Sequence, residues 1–257
     1  MRTGVWVCLA AYPLLALTGP VPAAEQEEVQ ALVKQAIKAR GGEARLAQLQ
    51  AAVWKTHGSF NGRAGRATLY GQLPDKFRLE SESVVDGKAV RFVRIVNGDR
   101  GWVLSGSKAR PMSAEELAQV KGTFDHKNLD TTLLGLRGPG AELSLLGESR
   151  VEGRPAVGLK VRRRGRPDLA LYFDKETKLL LKSRRQVKDG ASGREVALEY
   201  FYSDYQDFDG VKIARKTRQV RDGKVFAETD VQEFKSRKRL ESHLFLPPAA
   251  EGKPGRP

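Results

Sequence analysis

Short runs of alternating apolar and polar residues dominate the chain from Val53 onward, and they are rich in β-branched and aromatic side chains. In one such run Leu169, Leu171 and Phe173 fall on the same side of an extended backbone. This alternation predicts strands with one apolar and one solvated face. Dipeptides such as Asp86-Gly87, which favour the positive φ angles of hairpin turns, separate the runs.

Twelve strands are predicted from this pattern. They span residues 53–61, 67–73, 76–84, 88–96, 101–105, 143–150, 156–164, 168–174, 179–187, 195–203, 211–220 and 224–234. Successive hairpins of this kind form one large antiparallel sheet, and a sheet of ten or more strands curls because it twists. The sequence therefore predicts a mainly β protein whose sheet curls into a barrel or partial barrel with an apolar concave side.

Two segments have helical rather than strand periodicity. Residues 27–40 place apolar side chains at three-to-four spacing before Gly41-Gly42, and residues 43–50 add a shorter helical piece. Ser113 and Glu116 have the spacing of a capping box, which predicts a helix from 113 to about 121, with further helical turns over 125–136. This apolar insert interrupts the strands, so we expect a short helical lid or plug.

Residues 1–24 have the features of a secretory signal peptide: Arg2, then an apolar run, then small residues that predict cleavage near Ala23 or Ala24. Export to the periplasm or beyond follows. The single cysteine, Cys8, lies inside this segment, so disulfides and cysteine-based zinc sites are excluded from the mature chain. The folded domain is expected over 25–246, and the Pro- and Gly-containing tail over 247–257 is expected to be disordered.

The chain is basic, with a net charge of +14, or +13 after loss of Arg2. For an exported protein this charge predicts contact with an anionic membrane surface rather than with a specific nucleic acid. The alternative, that the charge only keeps a monomeric protein soluble, stays open.

Residues typical of catalysis or metal binding are scarce. His57, His126 and His243 are far apart in sequence and fit no metal-ligand spacing. Asp204, Asp207 and Asp209 alternate as in a calcium loop, but Arg215 and Lys216 stand where the closing glutamate would be needed. The basic run 162–166 fits either an exposed hairpin tip or a contact with anions. We therefore predict no enzyme, no catalytic residue, no metal and no cofactor.

Several short motifs together resemble the outer-membrane lipoprotein-sorting (LolA/LolB) superfamily. They are the leading helix with Gly41-Gly42 and the segments 73–78, 97–102, 201–205 and 244–247. The resemblance implies an unclosed antiparallel β-barrel whose open side is covered by helices, with a cavity for acyl chains between them. In the lipoprotein carrier of this family an arginine before the motif proline holds the lid closed, whereas this chain has Leu73 there.

These observations predict a periplasmic protein that binds or carries an apolar ligand, the acyl chains of a lipid or lipoprotein, without catalysis. The alternatives are an envelope sensor or protein-interaction module built on the same fold and, third, a hydrolase. A hydrolase would need a buried acid–base pair that the sequence does not disclose, and substitution of His57 or Asp204 without loss of function would exclude it. The side chains predicted to line the cavity are Trp54, Phe60, Leu69, Phe77, Leu79, Phe92, Trp102, Leu133, Leu171 and Phe173.

Overall fold

Most of the residues that the computed structural model describes, 23–106, 108–189 and 193–247, belong to one antiparallel sheet of thirteen strands. The predicted signal peptide up to residue 22 and the predicted tail from residue 248 lie outside these ranges. The strands are β1 Ala51–Phe60, β2 Arg63–Gln72, β3 Lys76–Val85, β4 Lys88–Asn97, β5 Arg100–Ser105, β6 Lys108–Pro111, β7 Ala141–Val151, β8 Arg154–Arg163, β9 Leu169–Asp174, β10 Leu180–Lys188, β11 Glu195–Phe208, β12 Val211–Arg221 and β13 Lys224–Arg237.

The sheet consists of two meanders joined by the pairing of β1 with β13. Its order is β6-β5-β4-β3-β2-β1-β13-β12-β11-β10-β9-β8-β7, so β6 and β7 are the two edges and do not pair with each other. The predicted fold class, a large antiparallel sheet that does not close into a barrel, is confirmed.

The structure adds one strand to the sequence prediction and changes the bounds of several others, such as β2, which begins at Arg63 rather than at 67. Strand β6 was not predicted, because its four residues include Lys108, Arg110 and Pro111 and show no apolar alternation. Strand β11 continues past its predicted end at 203 to Phe208. At Asp204 the backbone has a φ of 52°, but the register with β12 is the same on both sides of this residue, so Asp204 lies opposite Arg215.

The turn dipeptides form the hairpins that the sequence predicts. Asp86 and Gly87, with φ angles of 50° and 73°, connect β3 and β4. The dipeptides beginning at Glu152, Asp209 and Asp222 have the same pair of positive φ angles. At 97–98 the structure shifts the turn by one residue, because Asn97 is the last residue of β4. Gly190 of the remaining dipeptide lies outside the described residues.

In the described part of the chain, three α-helices accompany the sheet: α1 Ala23–Arg40, α2 Glu43–Ala47 and α3 Ala114–Thr132. Short 3-10 helices follow at Leu134–Arg137 and Ser242–Phe245. Helix α3 is continuous where two pieces were predicted. The predicted capping box is confirmed, since the Ser113 hydroxyl accepts a hydrogen bond from the Glu116 backbone N–H at 3.1 Å and the Glu116 carboxylate accepts one from the Ser113 N–H at 2.9 Å. None of the described helices is long and apolar enough to cross a bilayer.

The main apolar core lies between the concave face of the sheet and the helices. It includes Leu32, Val33 and Ile37 of α1, Leu129 of α3 and buried side chains of β8–β13 such as Phe173. A second core lies on the opposite face, where the C-terminal 3-10 helix inserts the buried Phe245 against β4 and β5. The sheet is therefore covered on both faces around β4 and β5.

Gly122 in the middle of α3 provides a direct stability test. An added Cβ at this position would meet no atom within 4 Å, whereas at Gly71 it would come within 2.8 Å of the Phe124 ring. We expect Gly122→Ala to raise the free energy of unfolding by about 0.5–1 kcal/mol, because alanine loses less backbone entropy in a helix. Urea denaturation measures this change. Gly71→Ala should have the opposite sign, and a destabilising Gly122→Ala would contradict the geometry.

Candidate apolar binding site

Helix α3 crosses the concave face because it connects the two edges of the sheet, β6 and β7. Beneath it, Trp54 of β1 and Phe234 of β13 are register partners and pack edge to face, with ring centroids 5.2 Å apart. Leu69 of β2 is opposite Trp54 on the same face. The junction of the two meanders therefore presents an aromatic surface to α3.

Two cavities lie beneath α3, and they share Leu73, Phe124 and Asn128 in their walls. The inner cavity, bounded by Trp54 and Phe234, has a volume of about 20 Å³. This is room for about one water molecule. The space between Trp54, Phe234 and α3 is thus filled almost completely by the protein's own side chains.

The outer cavity is larger, about 210 Å³, and is bounded by Phe77, Val96 and Val120. Phe124 separates it from the inner cavity. This ring is 7% exposed and packs against Phe77, with centroids 5.4 Å apart, directly over Gly71. A side chain at position 71 would displace it, so the missing Cβ of Gly71 provides the space that Phe124 fills.

The structure brings only some of the predicted cavity residues to these cavities. Trp54 borders the inner cavity and Phe77 the outer one, and Leu69 and Leu79 pack beside them. By strand register, the half-buried Phe92 belongs to the same face as Leu79.

Other predicted lining residues lie away from both cavities. Leu133, Leu171 and Phe173 are fully buried in the main core. Phe60 is half-buried at the far end of β1. Trp102 lies on the opposite face, because it pairs with Ile95 and packs into the core that Phe245 closes.

Sequence reasoning missed a cluster of polar side chains buried in the main core, which we call the polar cluster: His126 and Asp130 of α3, Ser183 of β10 and Tyr202 of β11. Each is at most 7% exposed. The Ser183 hydroxyl lies 2.9 Å from the Tyr202 hydroxyl, 3.2 Å from His126 Nε2 and 3.3 Å from Asp130 Oδ2. Tyr202 also donates to Asp130 Oδ2. These bonds connect α3 to the sheet.

The sequence contains two signals of this cluster. His126 and Asp130 are four residues apart and therefore lie on one face of a helix. Ser183 occupies the inward position between Lys182 and Arg184, where alternation would place an apolar residue.

The polar cluster does not have the arrangement of a nucleophilic triad. Asp130 Oδ2 and Ser183 Oγ both approach the same ring atom, His126 Nε2, at 3.1 and 3.2 Å. A triad needs the hydroxyl and the carboxylate on opposite ring nitrogens. Ser183 is also 0% exposed. The geometry therefore fits a structural connection between α3 and the sheet.

Burial shifts two pKa values in this cluster. Desolvation lowers the pKa of His126 to about 4, although the nearby Asp130 carboxylate acts in the opposite direction. Desolvation together with Asp130 holds the pKa of the Tyr202 hydroxyl well above its usual range. Both side chains are thus neutral near pH 7.

The remaining sequence candidates lie apart from the cavities. His57 is within hydrogen-bond distance of Gln232, at 3.2 Å, on the convex face. Asp204 is half-exposed, 3.7 Å from Arg215, and Asp207 accepts a hydrogen bond from the Gly210 N–H at 2.7 Å. Within the described ranges no group of three His, Cys, Asp or Glu residues is placed to hold a metal ion.

The fold and the site together define a half-barrel with a helix across its open side, and two solved structures share this architecture. One, described as an outer membrane lipoprotein-sorting protein domain from Vibrio parahaemolyticus, aligns with a TM-score of 0.50 at 10% identity, over 85% of this chain and 96% of that chain. The other, a LolA superfamily protein from Nitrosomonas europaea, aligns with a TM-score of 0.50 at 12% identity, over 85% of this chain and 97% of that one. No protein-family model and no curated protein sequence matches the chain. The predicted resemblance to the LolA superfamily is therefore confirmed at the level of the fold.

Proposed function

We propose that this protein binds the acyl chain of a lipid or lipoprotein beneath α3, in the cell envelope, without chemically changing its ligand. The observation that carries this proposal is the pair of cavities under α3, separated by the Phe124 ring. The shared fold with a lipoprotein-sorting domain supports the same ligand class.

Binding requires Phe124 to move, because the inner cavity of about 20 Å³ holds no more than a water molecule. The two halves of α3 are held differently. Its C-terminal half is attached through the polar cluster and through the buried Arg40, which donates to the Thr131 carbonyl at 2.7 Å. Its N-terminal half rests on the smaller apolar cluster around Phe77 and Phe124, and its polar ties are the exposed Lys121–Asp99 pair and a hydrogen bond from Arg185 to the Gly122 carbonyl. Displacement of this half would join the two cavities.

The energetics favour reversible binding. Burying about ten methylenes at about 0.8 kcal/mol each yields roughly 8 kcal/mol, which corresponds to micromolar affinity. Moving Phe124 off Phe77 offsets part of this gain. A carrier needs this balance, since it must release the chain as well as hold it.

Protein purified from its native envelope tests the proposal. Organic extraction followed by mass spectrometry should recover a lipid or acylated peptide in stoichiometric amount. An empty protein that also fails to take up Laurdan, an uncharged fluorophore with a lauroyl chain, would contradict acyl binding. A stable protein partner without lipid would favour a sensor or interaction module instead.

The Phe124→Ala variant tests the position of the site. We expect it to bind Laurdan roughly tenfold more tightly than the unaltered protein, a change of about 1.4 kcal/mol, because the ring no longer has to be displaced. Fluorescence titration measures the affinity. Phe201→Ala is the matched control, since Phe201 lies on the convex face beside Tyr172. Equal affinities in both variants would place the ligand elsewhere.

Export and surface contact belong to the same proposal. The predicted cleavage near Ala23 or Ala24 falls where α1 begins, and N-terminal sequencing of the exported protein would locate it.

We infer a monomeric domain over 25–246 whose basic surface contacts anionic membranes. Co-sedimentation with vesicles containing phosphatidylglycerol, compared with phosphatidylcholine vesicles, tests that contact.

A further inference from the structure

One charged side chain, Lys127, stands among the residues that line the inner cavity, all of which the structure describes. It is half-buried, and its ammonium lies 6.0 Å from the centre of the Trp54 ring. Lys127 forms no ion pair with a described residue, although most lysines and arginines near α3 do. Lys121, for example, binds Asp99 at 2.7 Å.

A second cation close to this cavity also lacks a carboxylate partner in the described part of the chain. Arg40 is 2% exposed and donates to the carbonyl of Thr131, which lines the cavity. Its guanidinium otherwise lies over the Tyr205 ring, 5.0 Å from the centroid, and its Nε has no partner among the described residues. Buried cations are normally paired, and of the groups that act on Lys127 only Asp130 is an anion, so Lys127 and Arg40 together exceed it by one positive charge.

The cavity wall contains an unused neutral donor as well. The indole Nε1 of Trp54 is buried and has no hydrogen-bond partner among the described residues. A buried donor without an acceptor is costly, and such groups are satisfied by a ligand or by water. An apolar space with one unpaired ammonium and one unpaired N–H fits an amphiphile with an anionic end.

We propose that the ligand is an acyl or alkyl chain ending in an anionic head group, a carboxylate or phosphate, which Lys127 binds while the chain occupies the space beneath α3. This inference rests on the proposed function and specifies its ligand class. It separates fatty acids and lipid phosphates from acyl chains on uncharged heads. Lys127 would then determine specificity, and the apolar walls would provide most of the affinity.

The electrostatics around Lys127 agree with this ligand. Burial lowers the pKa of Lys127, the charge of Arg40 lowers it further, and Asp130 partly compensates. An incoming anion would add to the partial compensation that Asp130 provides.

Three ligands with a twelve-carbon chain and one chainless anion test the proposal: laurate, dodecyl phosphate, dodecanol and inorganic phosphate. Isothermal titration calorimetry of the exported protein should show that both anionic amphiphiles bind roughly tenfold more tightly than dodecanol, as expected for one charge-assisted hydrogen bond. Lys127→Met should remove this preference and leave dodecanol binding unchanged. Lys34→Met, which removes an exposed charge on α1, should keep it.

The outcomes separate the two proposals. Equal binding of dodecanol and laurate, or a preference that persists in Lys127→Met, would overturn the anionic head group while acyl binding stands. Inorganic phosphate that binds as tightly as dodecyl phosphate would overturn it too, because the site would then recognise the anion without a chain. Failure of all four ligands, dodecanol included, would overturn acyl binding itself.

Discussion

Acidification from pH 6.5 to about pH 4 should cost the folded protein roughly 3 kcal/mol through His126 alone. Burial lowers the pKa of this imidazole from 6.5 to about 4 in the folded state, and one pKa unit corresponds to about 1.36 kcal/mol. Between these two pH values the unfolded chain binds a proton at this residue and the folded chain does not. Stability must therefore fall as the pH falls. The loss is absent above pH 6.5 and complete below about pH 4.

The surroundings of His126 determine the size of this effect. Desolvation dominates, Arg185 and Arg163 add to it, and the carboxylates of Asp130 and Asp125 oppose it. The net effect of these groups is that the added proton is less stable in the folded state than in water. Protonation would also remove the neutral Nε2 that faces Ser183.

Urea denaturation of the unaltered protein and of His126→Gln, over a series of pH values, isolates the contribution. Other groups titrate in the same range. The pKa of Glu80 is lowered in the folded state, where hydrogen bonds from Arg78 and Arg91 outweigh its burial. Both proteins share these groups, so the difference between their pH profiles reports His126. Parallel profiles would show that the imidazole is not buried in its neutral form.

The sheet could be predicted from sequence because its determinants are local. Alternation within each strand and dipeptides such as Asp86-Gly87 specify the hairpins, and those hairpins formed as expected. The pairing of β1 with β13 joins residues far apart in the chain, such as Trp54 and Phe234. No local pattern specifies that contact.

Trp102 illustrates a different limit. Alternation shows which residues of a strand share a face, but not which face the helices cover. Strand β5 is buried on both faces, by α3 near Gly101 and by Phe245 near Trp102. A tryptophan in such a strand can be buried on either face of the sheet. Trp102 is buried on the face that the C-terminal 3-10 helix covers, and the alternation within β5 does not reveal where that helix packs.

The polar cluster was missed for a related reason. Ser183 and Tyr202 each look like ordinary strand residues, and His126 and Asp130 like ordinary helix residues. These four side chains come into contact only because α3 crosses β10 and β11, which is a property of the tertiary fold. The cavities likewise depend on the close approach of Phe124 to Gly71, which periodicity does not reveal.

Replacing Asp130 with leucine should be the most damaging single change in the polar cluster, at roughly 3–5 kcal/mol. The Ser183 hydroxyl, the Tyr202 hydroxyl and His126 Nε2 all lie within hydrogen-bond distance of its Oδ2. Leucine has a similar size but accepts no hydrogen bond, so buried polar groups would lose a partner. Each unsatisfied group costs about 1–3 kcal/mol.

The same reasoning predicts strong non-additivity. Asp130→Leu leaves the Tyr202 hydroxyl without its carboxylate acceptor. Adding Tyr202→Phe removes that hydroxyl, so the double variant should be more stable than Asp130→Leu alone. Asp168→Leu serves as the surface control. Asp168 is half-exposed and pairs with Lys160 at 3.2 Å, so its loss should cost less than about 1 kcal/mol.

Urea denaturation of the unaltered protein, Asp130→Leu, Tyr202→Phe and the double variant gives the four free energies of the cycle, and amide hydrogen exchange shows where the structure loosens. Exchange should accelerate mainly in the C-terminal half of α3, around residues 126–132, because the polar cluster attaches that half to β10 and β11. A double variant less stable than Asp130→Leu would mean that Tyr202 contributes mainly through packing. Unchanged exchange in α3 would mean that the apolar contacts of Leu129 and Leu133 hold the helix without the polar cluster. The polar cluster would then not be what attaches the C-terminal half of α3 to the sheet.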